Sequence, residues 1–300
     1  MGLTAIVLGA AAGGGFPQWN CNCDVCRLAW AGDLRVRART QASLAVSADR
    51  KRWTLLNASP DLRAQIQATQ PLHPGEGKRG SPIQAVVLTG AEIDQTAGLL
   101  SLRERSPFTV MATAATLAAV AANPMFGVLA AEVVSRRAIT PGEKFALGDS
   151  LQAELFMVPG KLPLYLEGDD PDTAAESAAN VGVEITDGAR RLAYVPGAAS
   201  VTPALRERLS RADVILFDGT LFTDDEMIRT GAGAKSGRRM GHMPIEGPGG
   251  SLAALQGLSA RKIFVHINNT NPVLVDGSAE RRRAEAAGWD VAWDGMEIVL

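Results

Sequence analysis

The three cysteines of the chain stand close together, in the stretch NCNCDVC at residues 20–26. Cys21, Cys23 and Cys26 have the C-x-C-x-x-C spacing of a compact chelate, in which the Cys23-to-Cys26 turn wraps a Zn²⁺ ion and Cys21 reaches the same ion. An odd number of clustered thiols is a poor set for disulfides and favours metal binding. The pattern predicts a structural zinc site whose fourth ligand, a His, Asp or Asn, comes from elsewhere in the chain.

A second group of candidate ligands follows a buried apolar run, in VVLTGAEIDQTAGL at residues 86–99. This stretch resembles the signature of the metallo-β-lactamase superfamily, in which a strand ends in Thr-His-x-His-x-Asp-His and a helix with Gly-Leu follows. Thr89, Asp94 and Gly98 keep the frame of that signature. The three histidines of the signature are replaced in this chain, by Gly90, Glu92 and Gln95.

These replacements argue against the chemistry of a dinuclear hydrolase, which needs imidazole ligands and a bridging water. Two later superfamily positions also lack their ligands. Lys161 stands where a histidine often follows a strand, and Gly197 stands where a carboxylate bridges two metals. We therefore expect no hydrolase activity. Glu92 and Asp94 remain able to hold a single hard or borderline cation.

The chain has three histidines, and their surroundings differ. His266 follows the apolar run KIFV at a strand end, where ligands collect in α/β folds, so we expect it to be a metal ligand beside Glu92 and Asp94. His242 lies in a glycine-rich loop, where metal ligand, acid–base group and surface residue are all open alternatives. His73 lies in a Pro/Gly loop and is expected at the surface.

Strands and short helices must position these groups. Continuous apolar runs at IQAVVLT, DVILFDG and KIFVHIN predict central strands, and ASLAVS and RWTLLNAS predict two adjacent strands joined by a polar turn. A short basic helix is predicted over residues 27–39, and another in SPDLRAQIQAT with Ser59 as its N-cap. Since no linker or repeat divides the chain, we expect one domain over residues 1–300, with two sheets and helices outside them.

Composition argues against several classes of protein. Lys and Arg (30) nearly balance Asp and Glu (32), and no basic stripe with interleaved aromatics is visible, so nucleic acid is not expected as a partner. The N-terminal stretch MGLTAIVLGAAAGGG has no basic residue before its apolar part and is broken by glycines. Neither a secretory signal nor membrane insertion is predicted, and we expect a cytoplasmic protein.

Strings spread over nearly the whole chain resemble those of one family. NCNCDVC, LLNASPDLRAQI, FDGTLF, MGHMPI and FVHINNTNPVL are similar to the coenzyme PQQ synthesis protein B family. The resemblance implies an α/β metallo-β-lactamase fold, a four-layer αββα sandwich, with the cysteine segment as a zinc-binding insert near the N-terminus. It also implies a step in making pyrroloquinoline quinone (PQQ), a redox cofactor built from a cross-linked Glu and Tyr of a precursor peptide.

Two functions attach to that family. One is an iron- and oxygen-dependent hydroxylation of the tyrosine-derived ring of a pathway intermediate, and the other is transport of PQQ or its precursor to the periplasm. Glu92, Asp94 and His266 form a two-carboxylate, one-histidine set, close to the arrangement that leaves coordination positions open on Fe²⁺, which favours the hydroxylase. A carrier gives no reason for keeping Asp94 and His266 together.

The remaining candidates are placed around this ion. His242 and Asp218 are assigned to catalysis, His242 as an acid–base group or a further ligand, and Lys161 is expected to meet carboxylates of the small-molecule precursor. In superfamily members with the cysteine insert, the zinc also binds a histidine three residues after the strand-end histidine, and that position is Asn269 here. Asn269 is the predicted fourth zinc ligand, with His266 or water as alternatives. A homodimer or a partner from the same pathway is left open.

Overall fold

Fourteen strands and eight α-helices lie in residues 2–168 and 172–300, the parts of the chain that the computed structural model describes. The strands are β1 (Thr4–Gly9), β2 (Ser43–Ser47), β3 (Trp53–Leu56), β4 (Ile83–Val87), β5 (Phe108–Ala112), β6 (Val134–Ala138), β7 (Lys144–Leu147), β8 (Leu151–Pro159), β9 (Glu176–Thr186), β10 (Arg191–Val195), β11 (Val214–Asp218), β12 (Arg261–Val265), β13 (Trp289–Val291) and β14 (Glu297–Val299). The helices are α1 (Asp24–Trp30), α2 (Leu62–Ala68), α3 (Ile93–Thr96), α4 (Ala114–Ala121), α5 (Pro203–Leu209), α6 (Glu226–Arg229), α7 (Ser251–Ala254) and α8 (Ala279–Ala286).

The strands form two mixed sheets of seven. One sheet has the order β14-β1-β2-β3-β4-β5-β6, and the other has the order β13-β12-β11-β10-β9-β8-β7. In each sheet one half is parallel, from β3 to β6 and from β10 to β13, and the other half is antiparallel. Parallel strands are buried on both faces, which explains why β4, β11 and β12 are rich in apolar residues.

Apolar side chains fill the space between the two sheets and also cover their outer faces. Val7 and Val87 of the first sheet share one buried cluster with Val183 and Leu216 of the second. On the outer faces, α2 and α4 pack against the first sheet, and α5 and α8 pack against the second. The layers follow the order helix, sheet, sheet, helix, which confirms the predicted α/β sandwich.

Two helix predictions differ from the structure. The helix predicted over residues 27–39 is wrong in its bounds, because α1 starts at Asp24, where Cys23 Sγ accepts a hydrogen bond from Cys26 N. It ends near Gly32, whose φ of +69° lies in the left-handed region that glycine adopts readily. Ser59 does not cap α2, since its hydroxyl donates to Gln65 Oε1 instead.

The loops that position the predicted site meet at one rim of the sandwich. The segments that follow β1, β4, β8, β10, β11 and β12 line a common cavity of about 510 Å³. Ligand sites at the ends of strands are the rule in α/β folds, because the polar ends of the strands are exposed there. The helices of the described segments are all too short or too polar to cross a bilayer.

Candidate metal centre

Asp94 and His266 lie at the centre of the cavity. Asp94 is in α3, which follows the first sheet's β4, whereas His266 directly follows β12 of the second sheet. His266 Nε2 lies 2.9 Å from Asp94 Oδ2, and the two side chains are only 10 % and 13 % exposed. Two neighbouring ligands bound to one ion at about 2.1 Å are themselves ~3 Å apart, so this pair has the spacing needed to share an ion.

Each member of this pair shifts the ionisation of the other. Burial raises the pKa of the Asp94 carboxyl, but the hydrogen bond and charge of His266 outweigh it and leave that pKa below its usual value. Burial likewise lowers the pKa of His266, and the bond to Asp94 reverses this, so the pKa lies above its ordinary value. The site therefore favours an ionised carboxylate, which is the form that binds a cation.

Thr220 joins the two histidines of the cavity. Its Oγ1 lies 2.9 Å from His266 Nδ1 and 3.1 Å from His242 Nδ1, and it donates to Asp218 Oδ1 at 2.6 Å. Because the single hydroxyl proton goes to the carboxylate, Thr220 accepts the Nδ1 proton of His266. With Nδ1 facing Thr220, Nε2 of His266 faces Asp94, and its proton would leave when a metal binds there.

His242 is oriented by a buried carboxylate. Its Nδ1 lies 2.7 Å from Asp218 Oδ2, and the same oxygen accepts from Ala198 N at 2.9 Å. Burial raises the pKa of Asp218, but the charge of His242 lowers that pKa by a larger amount, so it lies below its usual value. The His242 ring stacks on that of His266, with centroids 5.1 Å apart and planes 19° apart. The donor atoms of Asp218, His242 and His266 all lie within 4.8 Å of one another.

His266 has an unusual backbone conformation. Its φ of +58° lies in the left-handed region, which costs a residue with a side chain about 1–2 kcal/mol. The surroundings hold this conformation, since Ile267 N donates to Ala10 O and Asn268 N donates to Thr220 O. The strained turn is what brings the ring from the end of β12 to Asp94.

Glu92, which was predicted to be a metal ligand, contacts other groups in the structure. Its carboxylate accepts from Lys161 Nζ at 3.1 Å and from the backbone N–H of Leu164 at 3.1 Å. Lys161 is therefore at the cavity, as expected, and its ammonium lies between Glu92 and Glu167. Glu92 lines the same cavity as Asp94 and His266, and its charge helps to raise the pKa of His266.

Gly90 and Gln95, which replace two superfamily histidines, fit each other. Gln95 Oε1 accepts from Glu92 N at 3.2 Å at the start of α3. A Cβ atom at position 90 would lie 2.5 Å from that same oxygen and 3.1 Å from Ala179 O. The amide of Gln95 thus occupies the space that any side chain at position 90 needs.

Gly197, the position of the missing bridging carboxylate, borders His242. A Cβ atom there would be 3.4 Å from His242 Cε1. The glycine therefore leaves the space at the end of β10 to the imidazole ring. Neither Gly90 nor Gly197 offers a side-chain donor, so these two ligand positions of the superfamily cannot hold a second ion.

The three cysteines converge on Asn269. Its Nδ2 lies 3.0 Å from Cys21 Sγ, 3.8 Å from Cys23 Sγ and 3.3 Å from Cys26 Sγ. In a tetrahedral zinc site with Zn–S bonds of about 2.3 Å, neighbouring donors are separated by ~3.5–3.8 Å, so four groups at these distances surround a space of the right size. Zinc would take the amide oxygen, which has the free lone pairs. His266 instead contacts Asp94 and Thr220.

The thiols also have the electrostatics of a cation site. Burial raises the pKa of Cys21, but hydrogen bonds from Cys23, Cys26 and Asn269 bring it below its ordinary value. Burial and the neighbouring thiols raise the pKa of Cys23 to about 12. Three sulfurs this close cannot all ionise without a cation among them, and a shared Zn²⁺ removes that barrier.

Thr220, Glu167 and Glu226 are polar groups near these sites that the sequence did not point to. Glu226 supports the zinc site, since it accepts from Phe222 N at 2.7 Å and from Thr270 Oγ1 at 2.5 Å, next to Asn269. The sequence does contain one indication that Thr220 lies at the site, because Thr220 follows Asp218 at the end of an apolar strand. His73 is exposed and contacts Gln67 O, away from the cavity, as predicted.

Comparison with known proteins relates the chain to one family. The family model described as beta-lactamase superfamily domain matches residues 52–267. Coenzyme PQQ synthesis protein B of Methylobacterium nodulans is 56 % identical over 299 residues, which are 99 % of this chain and 100 % of that protein. The corresponding protein of Ruegeria pomeroyi is 55 % identical over 295 residues, which are 98 % of this chain and 99 % of that protein.

Solved structures show the same fold. The crystal structure of Zn²⁺-bound PqqB from Methylobacterium extorquens superposes with a TM-score of 0.97 at 54 % identity, covering 99 % of this chain and 100 % of that one. A diphosphatase from the PhnP family has a TM-score of 0.73 at 19 % identity, covering 100 % of this chain and 98 % of that one, which shows the fold alone. The metallo-β-lactamase fold is confirmed, and the chain belongs to the coenzyme PQQ synthesis protein B family within the β-lactamase superfamily.

Proposed function

We propose that this protein acts in PQQ biosynthesis as a mononuclear iron enzyme that uses O₂ to hydroxylate an aromatic ring derived from tyrosine. The observation that carries the proposal is the buried pair Asp94–His266, 2.9 Å apart, with His242 stacked beside it in a cavity of about 510 Å³. One carboxylate and one imidazole at this spacing suit a single ion that keeps positions open for other ligands.

The residues present fit such an ion. Asp94 and His266 would hold it, with Glu92 as the third protein donor after exchange of its contact with Lys161. Bound Fe²⁺ would supply the one-electron chemistry that O₂ needs to react with an aromatic ring. We propose that the reaction takes place in the cytoplasm and that its substrate is a small-molecule precursor built from Glu and Tyr.

The chain's own groups handle the proton and the orientation of the substrate. Asp218 holds Nδ1 of His242, so the other nitrogen of a ring that lines the cavity is available to take the proton of a phenol hydroxyl. Lys161 supplies a cation for a carboxylate of the precursor. Loops from both sheets surround this space and limit access of water to the ring.

The test is anaerobic reconstitution with Fe²⁺, followed by addition of the cross-linked Glu–Tyr precursor, ascorbate as the two-electron reductant, and O₂, because one oxygen atom enters the ring and the other leaves as water. O₂ uptake and hydroxylated product are measured against a sample without precursor. We expect one O₂ to be consumed per product, and we expect no turnover in the Glu92→Ala, Asp94→Ala double variant. A matched control is the double variant Glu143→Ala, Asp149→Ala, which removes two exposed carboxylates around β7. Full turnover by the Glu92, Asp94 double variant would refute the proposal.

The loss of ligands at Gly90, Gln95 and Gly197 supports a second candidate, a carrier for PQQ or its precursor. In that case the superfamily cavity is kept for binding alone. A carrier predicts tight binding of PQQ by metal-free protein and no O₂ uptake in any reconstitution. Equilibrium dialysis of metal-free protein with PQQ and with the cross-linked Glu–Tyr precursor distinguishes the two, because weak binding of both excludes a carrier.

We further propose that Cys21, Cys23, Cys26 and Asn269 hold a structural zinc ion. The convergence of three thiols on one amide supports this, as does the Zn²⁺-bound state of the Methylobacterium extorquens relative. Elemental analysis of purified protein is expected to give one tightly held zinc, lost in a Cys26→Ser variant.

A further inference from the structure

Three cationic side chains converge on Glu167 at the cavity. Lys161 Nζ lies 2.8 Å from Glu167 Oε2, while Lys235 Nζ and Arg239 Nη1 lie 3.3 Å and 2.6 Å from Oε1. The side chain of Glu167 is only 4 % exposed. Hydrogen bonds from Lys161 and the other two cations outweigh burial and lower the pKa of Glu167 to about 2, so the group is a carboxylate at any physiological pH.

This carboxylate lies in the same cavity as the candidate metal ligands. Lys161, Glu167 and Lys235 line that cavity together with Asp94 and His266. Lys161 spans the distance between Glu167 and Glu92, which lies two positions before Asp94. A ligand that fills the cavity next to His266 therefore has these cations within reach at its other end.

Glu167 lies in residues 160–168, the described segment that follows β8. Leu162, Leu164 and Leu166 of this segment are each about half exposed. The segment is held at the site by Leu164 N, which donates to Glu92, and by Tyr165 Oη, which donates to Ala91 O at 2.8 Å. Neither of these contacts involves Glu167, so displacement of its side chain leaves both in place.

We propose that Lys161, Lys235 and Arg239 form the subsite for a carboxylate of the substrate, and that Glu167 fills this subsite until the substrate's carboxylate displaces it. The inference rests on the proposed function, because a precursor built from Glu and Tyr carries carboxylates. Charge-assisted pairs with lysine and arginine recognise any carboxylate, whether it belongs to the chain or to a ligand. An internal carboxylate keeps three cations paired and partly buried when no ligand is present.

The proposal gives a definite sign for the effect of removing the charge. In Glu167→Gln the side chain keeps its shape but competes less well for the cations, so a carboxylate ligand binds more tightly, by about 5-fold. In Lys235→Met the subsite loses a cation, so binding weakens, by about 5-fold. If Glu167 served only to hold the cations in place, Glu167→Gln would weaken binding instead.

The experiment measures the dissociation constant of PQQ by equilibrium dialysis, with PQQ as the carboxylate probe and its methyl ester as the matched ligand without negative charge. We expect tighter binding of PQQ by Glu167→Gln, weaker binding by Lys235→Met, no change for the ester in either, and no change for PQQ in the control Glu143→Gln. Thermal unfolding checks that each variant is folded.

Unchanged or weaker binding of PQQ by folded Glu167→Gln overturns the proposal. Equal effects on PQQ and its ester also overturn it, because the interaction would then not depend on the carboxylates. Dialysis requires no turnover, so this outcome is separate from that of the O₂ assay. If the affinities change as predicted but no O₂ is consumed, the subsite stands and the hydroxylase proposal is refuted. If O₂ is consumed but the affinities do not change as predicted, the hydroxylase proposal stands and the subsite is refuted.

Discussion

Replacement of Asp218 should slow proton transfer without weakening substrate binding. Asp218→Asn keeps the shape of the side chain but removes the charge that orients His242. We expect kcat for O₂-dependent product formation to fall about 10–100-fold with little change in KM. Steady-state kinetics on the precursor measure both constants.

The stability of this variant must be measured as a control, because the Asp218 carboxylate also accepts hydrogen bonds from Ala198 N and Thr220 N. An asparagine leaves one of these donors unpaired, which costs about 1–3 kcal/mol. Rates are therefore compared well below the unfolding temperature of the variant. A kcat within twofold of the unaltered protein would show that His242 needs no carboxylate partner.

Glu226 predicts how stability depends on pH. Burial raises the pKa of this carboxyl to about 7, whereas the unfolded chain releases the same proton near pH ~4.5. Unfolding in the window between these values releases a proton, so the free energy of unfolding falls as pH rises through it, by up to on the order of 3 kcal/mol. Urea denaturation between about pH 5 and 8 measures this slope.

Glu226→Gln removes the titrating group and keeps partners for Phe222 N and Thr270 Oγ1. We expect the pH dependence in that window to flatten and the variant to be more stable than the unaltered protein at about pH 8. Glu207→Gln, an exposed carboxyl in α5, is the control and should retain the slope. Parallel slopes for all three proteins would contradict the assignment.

At this scale the sequence was informative where a residue type is rare or ends an apolar strand. Asp94 and His266 were brought together correctly, because each follows a central strand and both strands end at one rim. The contact of Glu92 with Lys161 could not be predicted, since it depends on how the loop after β8 folds back over α3. The position of Glu167 could not be predicted from the sequence for the same reason.

At the scale of elements, Gly90 and α3 show how a lost ligand is compensated locally. Gly90→Ala forces Gln95 to shift and weakens its bond to Glu92 N at the start of α3, which we expect to cost about 1 kcal/mol. Gln95→Ala alone should cost a similar amount, ~1 kcal/mol, because it removes the same bond.

The two changes should not add. Gln95→Ala removes the oxygen that a Cβ atom at position 90 would meet, so the double variant is expected to be more stable than the sum of the single effects by about 0.5–1 kcal/mol. Urea denaturation of the two single variants and the double variant gives this coupling energy. Strict additivity would mean that the contact with Ala179 O, not Gln95, limits the space at Gly90.

Elements with long or continuous patterns were predicted well, and short ones were not. The runs that became β4, β11 and β12 consist mostly of apolar residues because parallel strands are covered on both faces. In contrast, α3, α6 and α7 have four residues each, and a single turn shows no periodicity. The bounds of α1 were wrong because Cys23, a residue that seldom caps a helix, caps this one.

At the scale of the whole molecule, the cysteine site joins the start of the chain to its end. Cys21, Cys23 and Cys26 lie before and within α1, and Asn269 follows β12. Removal of the zinc by a chelator, or by Cys26→Ser, is expected to lower the apparent Tm by at least about 5 °C, since a buried cluster of thiols is left without its cation. Differential scanning calorimetry with parallel zinc analysis tests this.

Asn20→Ala is the matched control, because Asn20 is exposed in the same loop and its side chain accepts a hydrogen bond from Gln18 Nε2. Its Tm and zinc content should equal those of the unaltered protein. A Cys26→Ser variant that loses zinc without a change in Tm would show that the ion does not stabilise the fold.

The separation of the ligands along the chain also sets the order of events during synthesis. Asp94 and His266 are 172 positions apart, Cys21 and Asn269 are 248 apart, and β14, the last strand, pairs with β1, the first. A ribosome therefore releases nearly the entire polypeptide before either group of ligands can assemble, although N-terminal segments start to fold earlier. Loading of the proposed ions would accordingly follow translation, and in a truncated chain that lacks β12 onward neither group of ligands would be complete.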